Sequence, residues 1–275
     1  MKKGRAANYT LTYLLLCLGA VVSCFPYLMA LFTAFKPANQ VYSTNPWEPP
    51  AEPTLANFRQ VLFDNPFPHY LWNTVLFAAL LTLGQLVFST FAAYAFARME
   101  FPGREVLFWA YLGTLMVPNV VTLIPLFVLM KELSWVDTWA GLVAPYILGT
   151  PYGIFLMRQF FRGIPRDLED AAYLDGAGRL RILFSIVLPL SKPIMATMAI
   201  ITVVQGWNNL LWPLIITSSD SQRVITVGIA AFQTNYGTQW TLMLAATMVA
   251  LFPLIVLYLL FQRHIVRSIV LSGLK

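Results

Sequence analysis

Six stretches of this sequence carry no Asp, Glu, Lys or Arg: 10–35, 70–97, 106–130, 138–157, 193–219 and 224–262. A helix that crosses a bilayer needs about 20 mostly apolar residues, because the hydrocarbon core is about 30 Å thick. The last run is too long for one crossing. Its first part holds Thr226, Gly228, Gln233, Thr234, Asn235, Tyr236 and Gly237, which are polar and turn-prone. Spans are therefore expected at about 10–35, 70–97, 106–130, 138–160, 190–218 and 239–262, with a re-entrant or surface segment before the sixth. Composition agrees. Only 11% of the 275 residues are charged and 58% are apolar. A soluble domain carries about 25% charged residues, so such a chain finds its solvent in a bilayer. The expected fold is an all-α integral membrane protein with six transmembrane helices in a single domain, 1–275.

Orientation follows from the basic residues. Lys2, Lys3, Arg5, Arg98, Arg104, Arg158, Arg162, Arg166, Arg179, Arg181, Lys192, Arg263, Arg267 and Lys275 lie at one set of span ends. The opposite set has only Lys36, Arg59, Lys131 and Arg223. Fourteen against four is a positive-inside bias that puts both termini in the cytoplasm. The net charge of +6 thus reflects topology rather than nucleic-acid binding. The start of the chain also has features of a signal peptide, with Val21, Val22, Ser23 and Cys24 like a lipoprotein cleavage site. The run stays apolar for eleven residues beyond Cys24, which favours an uncleaved first helix. Cys17 and Cys24 have no polar context and read as small apolar fillers. The outer loop, 36–69, holds Pro37, Pro46, Pro49, Pro50, Pro53, Pro66 and Pro68, which exclude a long helix. One short helix is expected near 54–63. The loop serves either as a surface for an external partner or as a cap on the bundle.

The loop 163–181, on the cytoplasmic side, is the most informative segment. Pro165 and Asp167 signal a helix start. Asp167, Glu169 and Asp170 fall in its first turn, where the helix dipole favours acids. Ala171 and Ala172 are small enough for another protein to approach. Gly176 and Gly178 then end the helix and turn the chain. The product is a short helix in the cytoplasm, suited to docking into a cleft on a partner.

Asp170, Ala171, Ala172, then Gly176, then Ile186, Leu188 and Pro189 resemble the signature loop of importer permeases in the ATP-binding-cassette (ABC) superfamily. That pattern is Glu-Ala-Ala, three residues, Gly, nine residues, Ile, one residue, Leu-Pro. The single departure is Asp170 for Glu, a shorter carboxylate of the same charge. Asp175, Gly176 and Ala177 are similar to the extended signature of the second permease of maltose-type carbohydrate importers. So are Phe101, Pro102, Gly103 and Arg104, the stretch from Trp207 and Asn208 to Trp212, Pro213 and Leu214, and the tail from Gln262 and Arg263 to Gly273, Leu274 and Lys275.

The resemblance implies the type I importer permease fold, with Glu169, Asp170, Ala171, Ala172, Asp175, Gly176 and Pro189 as the ATPase-coupling residues. It further implies a sister permease, two cytoplasmic ATPase subunits that bind ATP and Mg, an extracytoplasmic solute-binding protein, and a bacterial or archaeal cytoplasmic membrane. The chain has no Gly-Lys dipeptide and hence no nucleotide-binding Gly-rich loop. No acid-base, metal or nucleophile constellation argues for an enzyme, and no cofactor is expected on this chain.

Polar side chains within spans tend to face a bundle interior or a water-filled path. Gln205, Trp207, Asn208, Asn209 and Trp212 in the fifth span, and Asn119 between Pro118 and Pro125 in the third, form the candidate path or gate. Amides hydrogen-bond hydroxyls and indole faces stack on sugar C–H surfaces, so a carbohydrate fits. The same amides, with Gln85 in the second span, could instead bond neighbouring helices. His69 and His264 sit at membrane edges and read as solvated. A self-contained secondary transporter or channel is the competing function. It is disfavoured by spans without ionisable residues and by the lack of two similar halves.

Overall fold

A computed structural model describes the backbone of residues 2–42, 44–234 and 237–273, and the side chains of 11–42, 44–233 and 239–262. Expectations resting on Asn235, Tyr236, Leu274 and Lys275, and on the side chains of Lys2, Lys3, Arg5, Arg263, His264 and Arg267, lie outside the described residues. The chain runs α1 (Lys2–Ala34), α2 (Ala56–Phe63), α3 (Phe67–Arg98), α4 (Arg104–Gly113), α5 (Asn119–Glu132), α6 (Trp139–Ile147), α7 (Pro151–Arg162), α8 (Asp167–Leu174) and α9 (Arg179–Ile182). A π-helical turn (Leu183–Val187) follows, then α10 (Leu188–Leu190), α11 (Lys192–Trp207), α12 (Leu211–Ile216), α13 (Ile225–Ala230) and α14 (Trp240–Gly273). The strands described are one two-residue antiparallel pair, β1 (Gln233–Thr234) and β2 (Gly237–Thr238).

Four helical stretches are long and apolar enough to cross a membrane: Leu11–Ala34, Phe67–Arg98, Trp139–Arg162 and Trp240–Gln262. Two further pairs are bent, Arg104–Met116 with Asn119–Glu132 at 100° and Arg179–Leu190 with Lys192–Trp207 at 78°. Counting each bent pair as one span gives six. The first bend falls at Pro118, which lacks an N–H and takes extended backbone with ψ 131°. The second falls at Ser191, between Pro189 and Pro193. Pro189 cannot donate to the carbonyl four residues back, and the π turn opens the helix just before it. The expected fifth span is divided again, because α11 ends at Trp207 and α12 begins at Leu211.

The described residues form two compact units, 1–68 with 228–253, and 69–227 with 254–275. In the first, residues 11–28 of the apolar stretch Leu11–Ala34 are all exposed. The loop after α1 is ordered by Lys36, whose buried Nζ donates to Thr44 Oγ1 (3.0 Å) and Asn45 O (2.8 Å). Asn57, on the expected short helix α2, donates to Ala34 O and Lys36 O, both at 2.8 Å. In the second unit, one core cluster joins Ala93, Phe108, Ile154, Met157, Phe161, Ile182 and Met198. Another joins Phe77, Leu123, Leu142, Trp212 and Ile216. Helices approach closely where Gly84 faces Ile147: a Cβ there would lie 2.2 Å from Ile147 Cγ1.

Candidate functional site

Helix α8 forms where the docking helix is expected, and its two ends have distinct causes. At the start, Glu169 N and Asp170 N both donate to Arg166 O (2.8 and 2.9 Å), and Asp167, Glu169 and Asp170 occupy the first turn. At the end, Gly176 N donates to Tyr173 O (3.0 Å) and Ala177 N to Ala172 O (2.9 Å). These two bonds make a Schellman motif, which requires a left-handed residue after the cap. Gly176 fills that position at φ +81°. A Cβ built on Gly176 meets nothing within 4 Å, so within this chain only the backbone selects glycine. Gly178 differs: it is extended and starts α9.

The two faces of α8 separate cleanly. Asp170, Ala171, Leu174 and Asp175 are exposed, Leu174 at 91%. Ala172 is half-buried against the first core cluster. Glu169 does not belong to the outer face. Its side chain is buried and points inward. Glu169 Oε1 lies 2.7 Å from Arg98 Nε, off the N–H direction, as an ion pair with both side chains 6% exposed. Burial pushes the Glu169 carboxyl above its usual range, and the charges of Arg98 and then Arg166 pull against that. Arg98 Nη2 also donates to Phe161 O (2.7 Å) and Ile164 O (2.6 Å), carbonyls at and beyond the end of α7, and Phe161 O accepts from Ile164 N as well (3.1 Å).

Two more arginines work in the same way. Arg158, 1% exposed, donates from Nε to Phe96 O (3.2 Å), pairs with Glu105, and lies 3.7 Å over the Phe108 ring. Arg104 Nη1 donates to Met99 O (2.9 Å). The residues first read as topology markers thus cap the end of α3. One sequence signal for this existed: Ile154, Met157, Arg158 and Phe161 form a single buried stripe at helical spacing, and an Arg on such a stripe needs an internal partner. Pro189 lies in α10, two residues before the bend at Ser191 and outside α8, on the route from α8 into the fifth span.

The path candidates divide. Asn119 is exposed and opens α5 at the bend. Gln205 and Asn208 are exposed. Asn208 ends α11, with Nδ2 donating to Val204 O (2.8 Å). Asn209 is half-buried, and its carbonyl accepts from Thr226 Oγ1 (2.7 Å). Trp207 and Trp212 are buried. Trp212 Nε1 donates to Gly141 O and Leu142 O (3.2 Å each) and its ring packs edge-on against Tyr146. Its indole N–H is thus engaged within the bundle. Gln85 likewise bonds the bundle, donating to Tyr146 O (2.8 Å) and accepting from Thr202 Oγ1 (3.2 Å).

Residues 85–271 match the family described as binding-protein-dependent transport system inner membrane component. The chain belongs to that family. Proteins similar to this chain include the arabinooligosaccharides permease AraQ of Halalkalibacterium halodurans, 32% identical over 93% of this chain and 92% of its own. The trehalose/maltose permease MalG of Thermococcus litoralis is 34% identical over 93% of each chain. The sn-glycerol-3-phosphate permease UgpE of Yersinia pestis is 34% identical over 94% of each. The fold is that of type I importer permeases. A bacterial ABC transporter that imports alginate superposes with a TM-score of 0.81 at 23% identity, over 94% of this chain and 96% of that one.

Proposed function

We propose that this chain, acting as one permease domain, pairs with a sister permease to form the path for a sugar or sugar-like solute. ATP and Mg are bound by two separate cytoplasmic ATPase subunits, and an extracytoplasmic binding protein delivers the solute. The observation that carries this reading is α8. Its outer face presents Ala171 and Leu174 with the acids Asp170 and Asp175 beside them, its inner face is anchored, and its end is set by Gly176 at φ +81°. A helix so exposed and so firmly held is built to receive force from a partner. The carbohydrate class draws support from the relatives' solutes, which are polyhydroxylated, and from Asn119, Gln205 and Asn208. An exposed amide in a span is costly against lipid, so these side chains face a sister subunit or a wet path. Asp170, Ala171, Ala172, Asp175 and Gly176 remain the coupling set, with Ala172 on its inner side.

Gly176→Val tests this. The backbone costs on the order of 1 kcal/mol at positive φ, and the chain itself has room for the side chain. Any further loss must come from a partner's groove. The expected result is near-normal membrane expression, weakened ATPase retention and no solute-stimulated ATP hydrolysis, with Gly176→Ala milder than Val. A Gly176→Val complex that keeps its ATPase, stimulation and uptake would overturn the proposal.

A further inference from the structure

We propose that Arg98 is the positioning residue that makes α8 move as one body with the ends of α3 and α7. This rests on the permease reading above and names the joint that reading needs. A docking helix can drive spans only if it is rigidly joined to them. The chain from α7 to α8 is a short turn through Gly163 and Ile164, and a turn alone is a hinge. Arg98 removes the hinge. It is the last residue of α3. Its one guanidinium forms an ion pair with Glu169 on α8 at 2.7 Å, without a hydrogen bond between them, and donates from Nη2 to Phe161 O in the last turn of α7 (2.7 Å) and to Ile164 O beyond it (2.6 Å). The guanidinium is planar and stiff, so three segments meet at one rigid group.

The choice of charged groups matters. A buried ion pair adds little stability over an apolar pair of the same volume, because both ions lose their hydration. What it adds is a single permitted register, since any slip of α8 leaves a buried charge without its partner. Arg158 extends the same body to α4 through Glu105 and Phe96 O. Force applied to the outer face of α8, at Ala171 and Leu174, then passes through Glu169 and Arg98 to two spans without relying on the covalent link alone.

The test uses the full complex in proteoliposomes with MgATP, with and without vanadate, as the only probe. Cys17 and Cys24 are replaced by Ala, and nitroxides are placed at Glu100→Cys and Asp167→Cys, both exposed positions beside the joint. In the parent the interspin distance is expected to stay single and narrow in both nucleotide states. In Glu169→Gln and Arg98→Gln it should broaden or shift by at least about 2 Å on nucleotide binding, the scale of helix displacements in coupled proteins. Arg98→Lys should restore part of the narrow distribution, and the double variant should be no worse than the worse single one. A joint that is merely stabilising would lower yield or melting temperature and leave the distance unchanged in both states, which would overturn the proposal. Loss of the ATPase in Glu169→Gln would overturn it too, by putting Glu169 in the partner's groove. If Arg98→Gln does not insert, Glu169→Gln decides alone, since the amide copies the shape of the carboxyl. Failure of the parent complex to retain an ATPase at all would instead defeat the permease reading.

Discussion

At the scale of single residues, amides of the same chemistry stand in opposite surroundings. Gln85 spends both ends of its amide on Tyr146 O and Thr202 within the bundle. Asn208 spends one on its own helix and turns the rest outward. Gln85→Leu should therefore cost stability and little else. Interhelical hydrogen bonds in membrane proteins are worth roughly 0.5–1.5 kcal/mol, so the purified complex should melt several degrees lower while uptake per assembled complex stays normal. Asn208→Leu should do the reverse, lowering uptake while assembly and melting hold. Normal uptake per complex with poor assembly in Asn208→Leu would make that amide a subunit contact. Only tertiary structure separates the two. Both are amides in apolar helices, and nothing local says which one meets a neighbour. Trp212 is the same lesson in reverse: an aromatic suited to stacking on a sugar, already committed to the carbonyls of Gly141 and Leu142.

At the scale of elements, breaks in helices are where the chain is tied together. Asp137, in the loop before α6, takes positive φ (57°) and accepts Ser218 N (2.8 Å) and Ser219 N (3.0 Å) just after α12. Burial alone would raise its carboxyl, but the amides of Ser219 and Ser218 outweigh that and hold it below the usual range. A depressed acid stabilises the fold above its unfolded value and loses that contribution as pH falls through its folded value. Asp137→Ala should therefore lower the melting temperature at neutral pH. The gap from the parent should close as pH drops below about 4, the ordinary aspartate range. A gap that persists at acid pH would assign the effect to backbone strain instead. The link after α8 is built by other means: a π turn, Pro189 and Ser191, whose Oγ donates to Val187 O (2.6 Å), bend the chain by 78° into α11.

At the scale of the whole molecule, the distribution of charge predicts one arrangement across the membrane. The loop 36–69 lies outside and the loop 163–181 inside. Thr44 is a poor probe of this, because its hydroxyl is engaged by Lys36. Glu52 is exposed and better placed. In a variant lacking Cys17 and Cys24, Glu52→Cys should react with an impermeant thiol reagent in intact cells, and Gly178→Cys only after lysis. The reverse pattern would turn the chain over and put α8 on the wrong side for any ATPase.

The sequence by itself determined the membrane class and the position and end of α8. Both are sums over neighbouring residues. Transfer of apolar side chains into hydrocarbon adds along the chain, and the left-handed turn at Gly176 depends on one residue's missing Cβ. Only the tertiary structure decided which side chains of those helices face inward. Arg98 meets carbonyls 63 and 66 positions away, and Arg158 meets Glu105 across 53. Glu169 and Asp170 are adjacent acids in one helical turn, and nothing local distinguishes them. Their difference arises because a helix sends successive side chains about 100° apart, so that only Glu169 looks back at the guanidinium that ends α3.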